Sequence, residues 1–386
     1  MTKETIFTIL IAISVFGFLI LIHELGHFIS ARIFKVKINE FSIGMGPRLL
    51  YYDSKKSGTR YSLAILPFGG FVAMEGEDGE REEPKKAPGL VDATLAIEAE
   101  NTPEVKAPSE APDPARFDQK PAWQRLIITA AGAFVNIVAG FLIMIIVTTF
   151  GPMSSTTVKS YVNGDNVPYQ DILELDTSVA DSGILPGDKI IKVDGKRVYI
   201  YDELSYQIMR RGTEPVTVTV ERNGEKKDIL VTFPVVENNG VKYGTFDFST
   251  EYFDKNPINV IGYSFENAFL FVRMVWESLF DLVTGRYSLA ALSGPIGISS
   301  EIGTAARLGI IPLLYMVVVI SINLGVMNLL PIPALDGGRM ITLLIEIITR
   351  KKIPAKVERI INGVGLVLLL GLSAVVLVKD IIQLVV

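Results

Sequence analysis

Four stretches of this chain are apolar over a length that leaves few alternatives to a membrane: Thr5 to Ile22, Leu126 to Phe150, Ile310 to Leu330 and Ile360 to Val378. About 20 helical residues cover a hydrocarbon core ~30 Å thick, and each stretch is close to that length. Backbone groups in lipid must be satisfied within the segment, so each run predicts a spanning α-helix. A mean hydropathy of +0.38 and 49% hydrophobic content place the 386 residues outside the range of ordinary soluble enzymes. The expected class is an α-helical polytopic membrane protein with a soluble part.

The basic residues give these spans a direction. The connection from Arg339 to Arg359 holds six of them (Arg339, Arg350, Lys351, Lys352, Lys356 and Arg359), whereas the N-terminus has only Lys3 beside Glu4. Short cytoplasmic loops collect Lys and Arg, so the N-terminus is expected outside. Residues 35–125 and 331–359 then lie in the cytoplasm, and 151–309 and the C-terminus outside. The net charge of −5 is spread over a mixed surface, and nucleic acid is not an expected partner. Cysteine is absent, which removes disulfides and thiolate metal ligands.

Between the spans, Glu75 to Arg116 is rich in Glu, Pro and Ala and poor in aromatics, so it is expected to be a disordered loop. Residues 155–240 carry short β-rich runs instead. In VTVTVERNGEKKDILVTF, period-2 alternation flanks Asn223-Gly224, as a hairpin requires. From Ile258 to Arg286, the apolar residues Phe265, Phe269, Val272, Trp276, Leu279 and Val283 recur near helical spacing, with Glu266, Arg273 and Glu277 between them. That pattern predicts an amphipathic helix, either on the outer membrane surface or as a linker packed under the soluble domain.

The first apolar run ends in LIHELGHFISARIF, which holds both histidines of the chain. Residues i and i+4 share one helix face, so His23 and His27 can grip one zinc ion while Glu24 takes a proton from a water that attacks a peptide carbonyl. His23 lies about 27 Å along a helix that starts at Thr5, toward the cytoplasmic side of the core. A catalytic zinc commonly takes three protein ligands, and with no further His or Cys the third must be a carboxylate. Asp336 in NLLPIPALDGGRM is the candidate. The third span runs in the same direction as the first and delivers its far end to the same depth, while Pro331 and Pro333 break the helix before it. Taken alone, Asp-Gly-Gly reads equally as a turn.

With these residues in view, the chain resembles the site-2 proteases, intramembrane zinc metalloproteases, and among them the RseP-like branch with one inserted PDZ domain. The resemblance rests on five motifs in order: HELGH at 23–27, PFGGFVAMEGE at 67–77, AGAFVN at 131–136, LSGPIGI at 292–298 and NLLPIPALDGG at 328–338. Ala133 departs from it, standing where the family commonly has proline. The resemblance implies zinc held by His23, His27 and Asp336, Glu24 as general base, and Asn328 and Pro331 in substrate engagement. It also implies a membrane-re-entrant β-loop over Leu66–Met74, whose Phe68, Gly69, Gly70 and Phe71 would meet an unwound substrate strand. Phe68 to Phe71 reads equally as an ordinary hairpin turn. The segment SVADSGILPGDKIIKVDG at 178–195 resembles a PDZ fold, with Gly183, Gly187 and Gly195 at tight turns around a strand Lys189–Val193. Such a domain binds a peptide or trimmed substrate end, or acts as a steric plug.

The expected division is a first span with HELGH (1–34), a cytoplasmic and re-entrant β-loop region (35–74), a disordered loop (75–116) and a juxtamembrane segment with the second span (117–150). There follow an α/β PDZ-like domain outside (155–240), the amphipathic helix (258–286), a third span with the LDGG motif (309–338), and a basic loop with the fourth span (339–386). The resemblance implies a multi-pass protein of the bacterial inner membrane, with the lipid bilayer and transmembrane-helix proteins such as anti-sigma factors or signal-peptide remnants as partners. Two readings compete with it. A secreted zincin with a signal peptide would need a cleavage site before HELGH, and none is visible. A PDZ-bearing membrane scaffold would need no zinc.

Overall fold

A computed structural model describes residues 3–77, 113–161, 179–238, 241–285 and 293–385. In chain order the elements are α1 (Lys3–Ile33), β1 (Ile38–Asp53), β2 (Arg60–Met74), α2 (Ala122–Phe150), β3 (Ser154–Tyr161), β4 (Lys189–Val193), β5 (Lys196–Arg197) and α3 (Tyr201–Arg211). Then come β6 (Val216–Arg222), β7 (Glu225–Val231), β8 (Val235–Asn238), β9 (Val241–Gly244), β10 (Phe248–Tyr252), α4 (Pro257–Val283), α5 (Pro295–Leu308), α6 (Ile310–Leu329), α7 (Asp336–Thr349) and α8 (Ala355–Val385).

Among the described residues, four helices are long and apolar enough to cross a membrane: Lys3–Ile33, Ala122–Phe150, Ile310–Leu329 and Lys356–Ile382, with mean hydropathies of 2.8, 2.5, 2.4 and 2.5. They coincide with the four apolar runs, and the chain is a membrane protein with inserted β structure. α2 is continuous through Ala133, which is fully buried.

The chain divides into two compact units, one of Ile13–Asn136 with Met327–Gly371, the other of Met1–Ala12 with Ile137–Val326 and Leu372–Val386. In the first, β1 and β2 are bent antiparallel strands with repeated shifts of register: Phe41 faces both Val72 and Tyr61, and Ile43 faces both Gly70 and Leu63. The pairing lays four segments side by side in the order 70–74, 38–43, 60–63 and 50–53, so that among the described residues 70–74 is an edge. The sheet is fixed by apolar packing of Val36, Ile38, Phe41, Val72 and Met74 against Ala31 of α1, Ile128 of α2, and Phe117. Most of Glu75–Arg116 lies outside the described residues. Its ends are tied to ordered chain, Lys37 N–H donating to Ala115 O and Phe117 N–H to Glu75 O.

In the second unit a sheet of order β10-β3-β4-β6-β7, with β5 beside β4, closes over α3. Its core is Val158, Ile184, Ile190, Val193, Leu204, Ile208, Val218, Val220 and Phe233. The β6–β7 hairpin turns at Asn223-Gly224, where both residues have the positive φ that this two-residue turn demands (54° and 83°). Gly183, Gly187 and Gly195 also take positive φ, as their expected turns require.

α4 has the amphipathic period expected of it, and it carries two kinds of contact and one exposed face. Its polar side chains reach α3, with Arg273 on Glu203, and Arg210 on both Glu277 and Asp281. Ala268 and Phe271 pack with Met144 and Val147 of α2 and Val318 and Ile322 of α6. Phe265, Phe269, Trp276 and Val283 are exposed. Of the LSGPIGI stretch, Leu292 lies outside the described residues. The remainder opens α5, where the Gly294 and Gly297 amides donate to the Asp380 carboxylate of α8.

Candidate metal centre

All four residues singled out as metal or acid–base groups fall in one unit. His23 and His27 lie one turn apart on α1, and Asp336 opens α7 after the chain breaks at Pro331 and Pro333. The break is tight. A side chain at Gly337 would place its Cβ 2.0 Å from the Leu330 carbonyl oxygen, which explains why glycine follows the aspartate.

His23 Nε2 stands 3.2 Å from Asp336 Oδ2, His27 Nε2 stands 3.4 Å from the same oxygen, and the two nitrogens are 3.2 Å apart. Ligands bound tetrahedrally at about 2.0–2.1 Å from zinc lie about 3.3 Å from one another, so this triangle has the size a zinc ion needs. The donors are of the right kind, two imidazoles and a carboxylate converging on one point. Each ring is also held from behind. His27 Nδ1 donates to the Ile128 carbonyl at 2.8 Å, which leaves Nε2 with its lone pair toward the centre, and His23 Nδ1 faces the side-chain amide of Asn136 at 3.3 Å. The residues fit the metal.

α2 comes close enough to supply these supports because of Gly132, where a Cβ would stand 2.3 Å from His27 Nε2. Sequence reasoning gave Ile128, Gly132 and Asn136 no role. AGAFVN carried a signal in its small residues, the mark of closely packed helices, but nothing local says which helix approaches.

A cavity of about 940 Å³ opens on the centre, lined by His23, Glu24, His27 and Asp336 and by the strand segment Gly70 to Met74. The strand passes directly over the acid. A Cβ on Gly70 would lie 2.9 Å from Glu24 Cγ, so only glycine lets the two approach. Gly69 takes a positive φ of 81°, Phe71 also lines the cavity, and Phe68 lies in β2 with its side chain outside the described residues. Asn328, half-buried in the last turn of α6, and the exposed Pro331 are not among the cavity-lining residues. Glu77 and Arg339, which the sequence did not single out, line its rim.

Donors of this kind on helices of membrane length are what a membrane-bound metallopeptidase requires. The model for Peptidase family M50 matches residues 11–372, and the chain belongs to that family. A putative zinc metalloprotease of Fusobacterium nucleatum is 33% identical over 97% of this chain and 98% of its own length. One of Clostridium acetobutylicum is 34% identical, again over 97% and 98%. The regulator of sigma-W protease RasP of Bacillus subtilis is 29% identical over the same shares.

Proposed function

We propose that this chain is a zinc-dependent endopeptidase that cleaves peptide bonds within the transmembrane segments of other membrane proteins, with His23, His27 and Asp336 as ligands and Glu24 as general base. The observation that carries the reading is the strand edge 70–74 lying across Glu24, in the cavity that opens on the ligand triangle. When bound, zinc polarises the scissile carbonyl and activates the water that attacks it. Glu24 takes the proton from that water on its carboxylate and returns it to the leaving amine. The 70–74 edge offers backbone N–H and C=O groups to an extended peptide, which answers the main obstacle to this chemistry: a helix hides its peptide bonds until it is unwound. Phe68, Gly69, Gly70 and Phe71 belong to this peptide-receiving strand, and Asn328 and Pro331 stand at the helix break that presents Asp336.

The chain sits in a bacterial cell membrane with its N-terminus, β-rich domain and C-terminus outside and the centre toward the cytoplasmic side. The β-rich domain is PDZ-like and admits substrates already trimmed on the outer side, whether by binding their new end or by excluding bulk. α4 lies at the outer surface, its exposed aromatic residues against lipid. A relative named for regulating sigma-W supports regulated intramembrane proteolysis of an anti-sigma-factor-like substrate, and signal-peptide remnants share the same chemistry. The competing scaffold reading gives the intact HELGH no purpose. The test is cleavage of a single-span substrate by the purified protein in lipid. Cleavage inside the span, lost in Glu24→Gln, is expected; undiminished cleavage by the variant would remove Glu24 from the reaction.

A further inference from the structure

The peptide-receiving edge ends on a pair of side chains outside the reaction. β2 stops at Met74, and in the turn that follows the Glu77 carboxylate reaches back to accept from the Met74 N–H at 3.3 Å, while the Glu77 N–H donates to Met74 O at 3.2 Å. Arg339 grips the same residue from α7. Its Nη1 donates to the Glu77 carboxylate and its Nη2 to the Glu77 carbonyl oxygen at 3.2 Å. The guanidinium lies 4.7 Å over the ring of Phe117, with Glu358 3.8 Å from Nε. Both side chains are largely enclosed, at 23% and 20% exposure.

Arg339 is three residues after Asp336, on the first turn of the same helix, so the two share a face. One residue pair therefore connects the last amide of the edge strand to the helix that carries the third ligand. A planar fork on two acceptors of one residue fixes orientation as well as distance, which a lysine on a flexible stem does not.

We propose that Glu77 and Arg339 form a clamp that sets the spacing between the 70–74 edge and Asp336, and so act as positioning residues for the peptide that enters between them. The proposal rests on the reading of 70–74 as the peptide-receiving strand. A peptide bond reacts only when held within about 3–3.5 Å of its partners, and a misplacement of about 1 Å costs up to ~100-fold. Letting the strand end drift from α7 therefore impairs engagement while leaving the ligands in place.

The test uses the full chain in lipid with Glu24→Gln to prevent turnover. A single cysteine replaces Ala73, which the cysteine-free sequence makes unambiguous. A substrate span carrying one cysteine at successive positions is then cross-linked to it by oxidation. With the clamp intact, cross-links should concentrate at a few substrate positions. Arg339→Lys and Glu77→Gln should each lower the yield at those positions roughly tenfold and spread it to neighbours, with zinc per chain and melting temperature unchanged. Unchanged yield and register in both variants would overturn the clamp alone. A fall in zinc content or melting temperature that accounts for the lost yield would assign the pair to the fold and overturn it as well. If no substrate position cross-links even with the clamp intact, the peptide-receiving strand itself is wrong, and the clamp falls with it.

Discussion

Three enclosed acids, two in one compact unit and one in the other, are met in different ways. In the β-rich domain and α4, Asp188 and Asp281 are matched by guanidinium groups. Asp188 is 1% exposed and pairs with Arg222 at 2.6 Å, and Asp281 at 4% pairs with Arg210 at 2.7 Å. In the other unit, the ion-pair partners of Asp336 among the described residues are two imidazoles that point the same way as its own oxygen. Paired charge holds a fold. Acceptors converging on one point, with both imidazoles held from behind, leave room for a cation in a way that a closed acid–guanidinium pair does not.

Several substitutions can break this contrast, the largest first. Gly132→Val would drive a branched side chain into His27, so zinc affinity should fall by 100-fold or more while the helices still insert. Isothermal titration with zinc on the apoprotein reads this directly, and normal affinity would mean that α2 does not press on the ring. Arg210→Ala should leave zinc affinity alone and lower the stability of the β-rich domain by about 3–5 kcal/mol, because it takes the guanidinium away from buried Asp281. Denaturant unfolding followed by near-ultraviolet circular dichroism checks it, and a change in zinc content would break the separation between the units.

The smallest effect concerns pH. Burial pushes the Asp202 carboxyl above its usual range, against the opposing hydrogen bonds from Tyr315, Tyr263 and Asn267. An acid whose folded pKa is raised favours the fold while protonated, so its contribution is full below the ordinary carboxylate pKa and is lost as pH rises through the elevated one. Asp188 runs the other way. Burial raises it too, but Arg222 and the Leu185 amide outweigh that, so its contribution is present at neutral pH and lost on acidification. Asp202→Asn should therefore gain a few °C of melting temperature near pH 8 relative to the parent and little near pH 4. An equal shift at both values would mean that Asp202 does not titrate in this range.

What the sequence made legible was local. The spans follow from unbroken apolar length, the hairpin from Asn223-Gly224, and His23, Glu24 and His27 from a spacing that one helix turn enforces. Elimination leaves only a carboxylate as third ligand, since the chain holds no other His and no Cys, and the depth at which the third span ends, before the break at Pro331 and Pro333, singles out Asp336. The supports were hidden for a physical reason. Ile128 O meets His27, and Arg339 meets Glu77, across 101 and 262 residues of sequence, and no periodicity or turn signal encodes such pairs. α4 was half legible: its period announced a helix, but a single stripe does not tell an exposed face from contacts to α2, α6 and α3, and the structure shows both.

The most direct test of the central claim is zinc per chain, by elemental analysis, in purified Glu24→Gln and Asp336→Ala. The first should retain about one zinc, because the role proposed for Glu24 is to move a proton and not to hold the metal. The second should retain little, because two histidines make an incomplete site. Equal zinc in the two variants, or its loss from Glu24→Gln, would contradict the assignment of ligands and base.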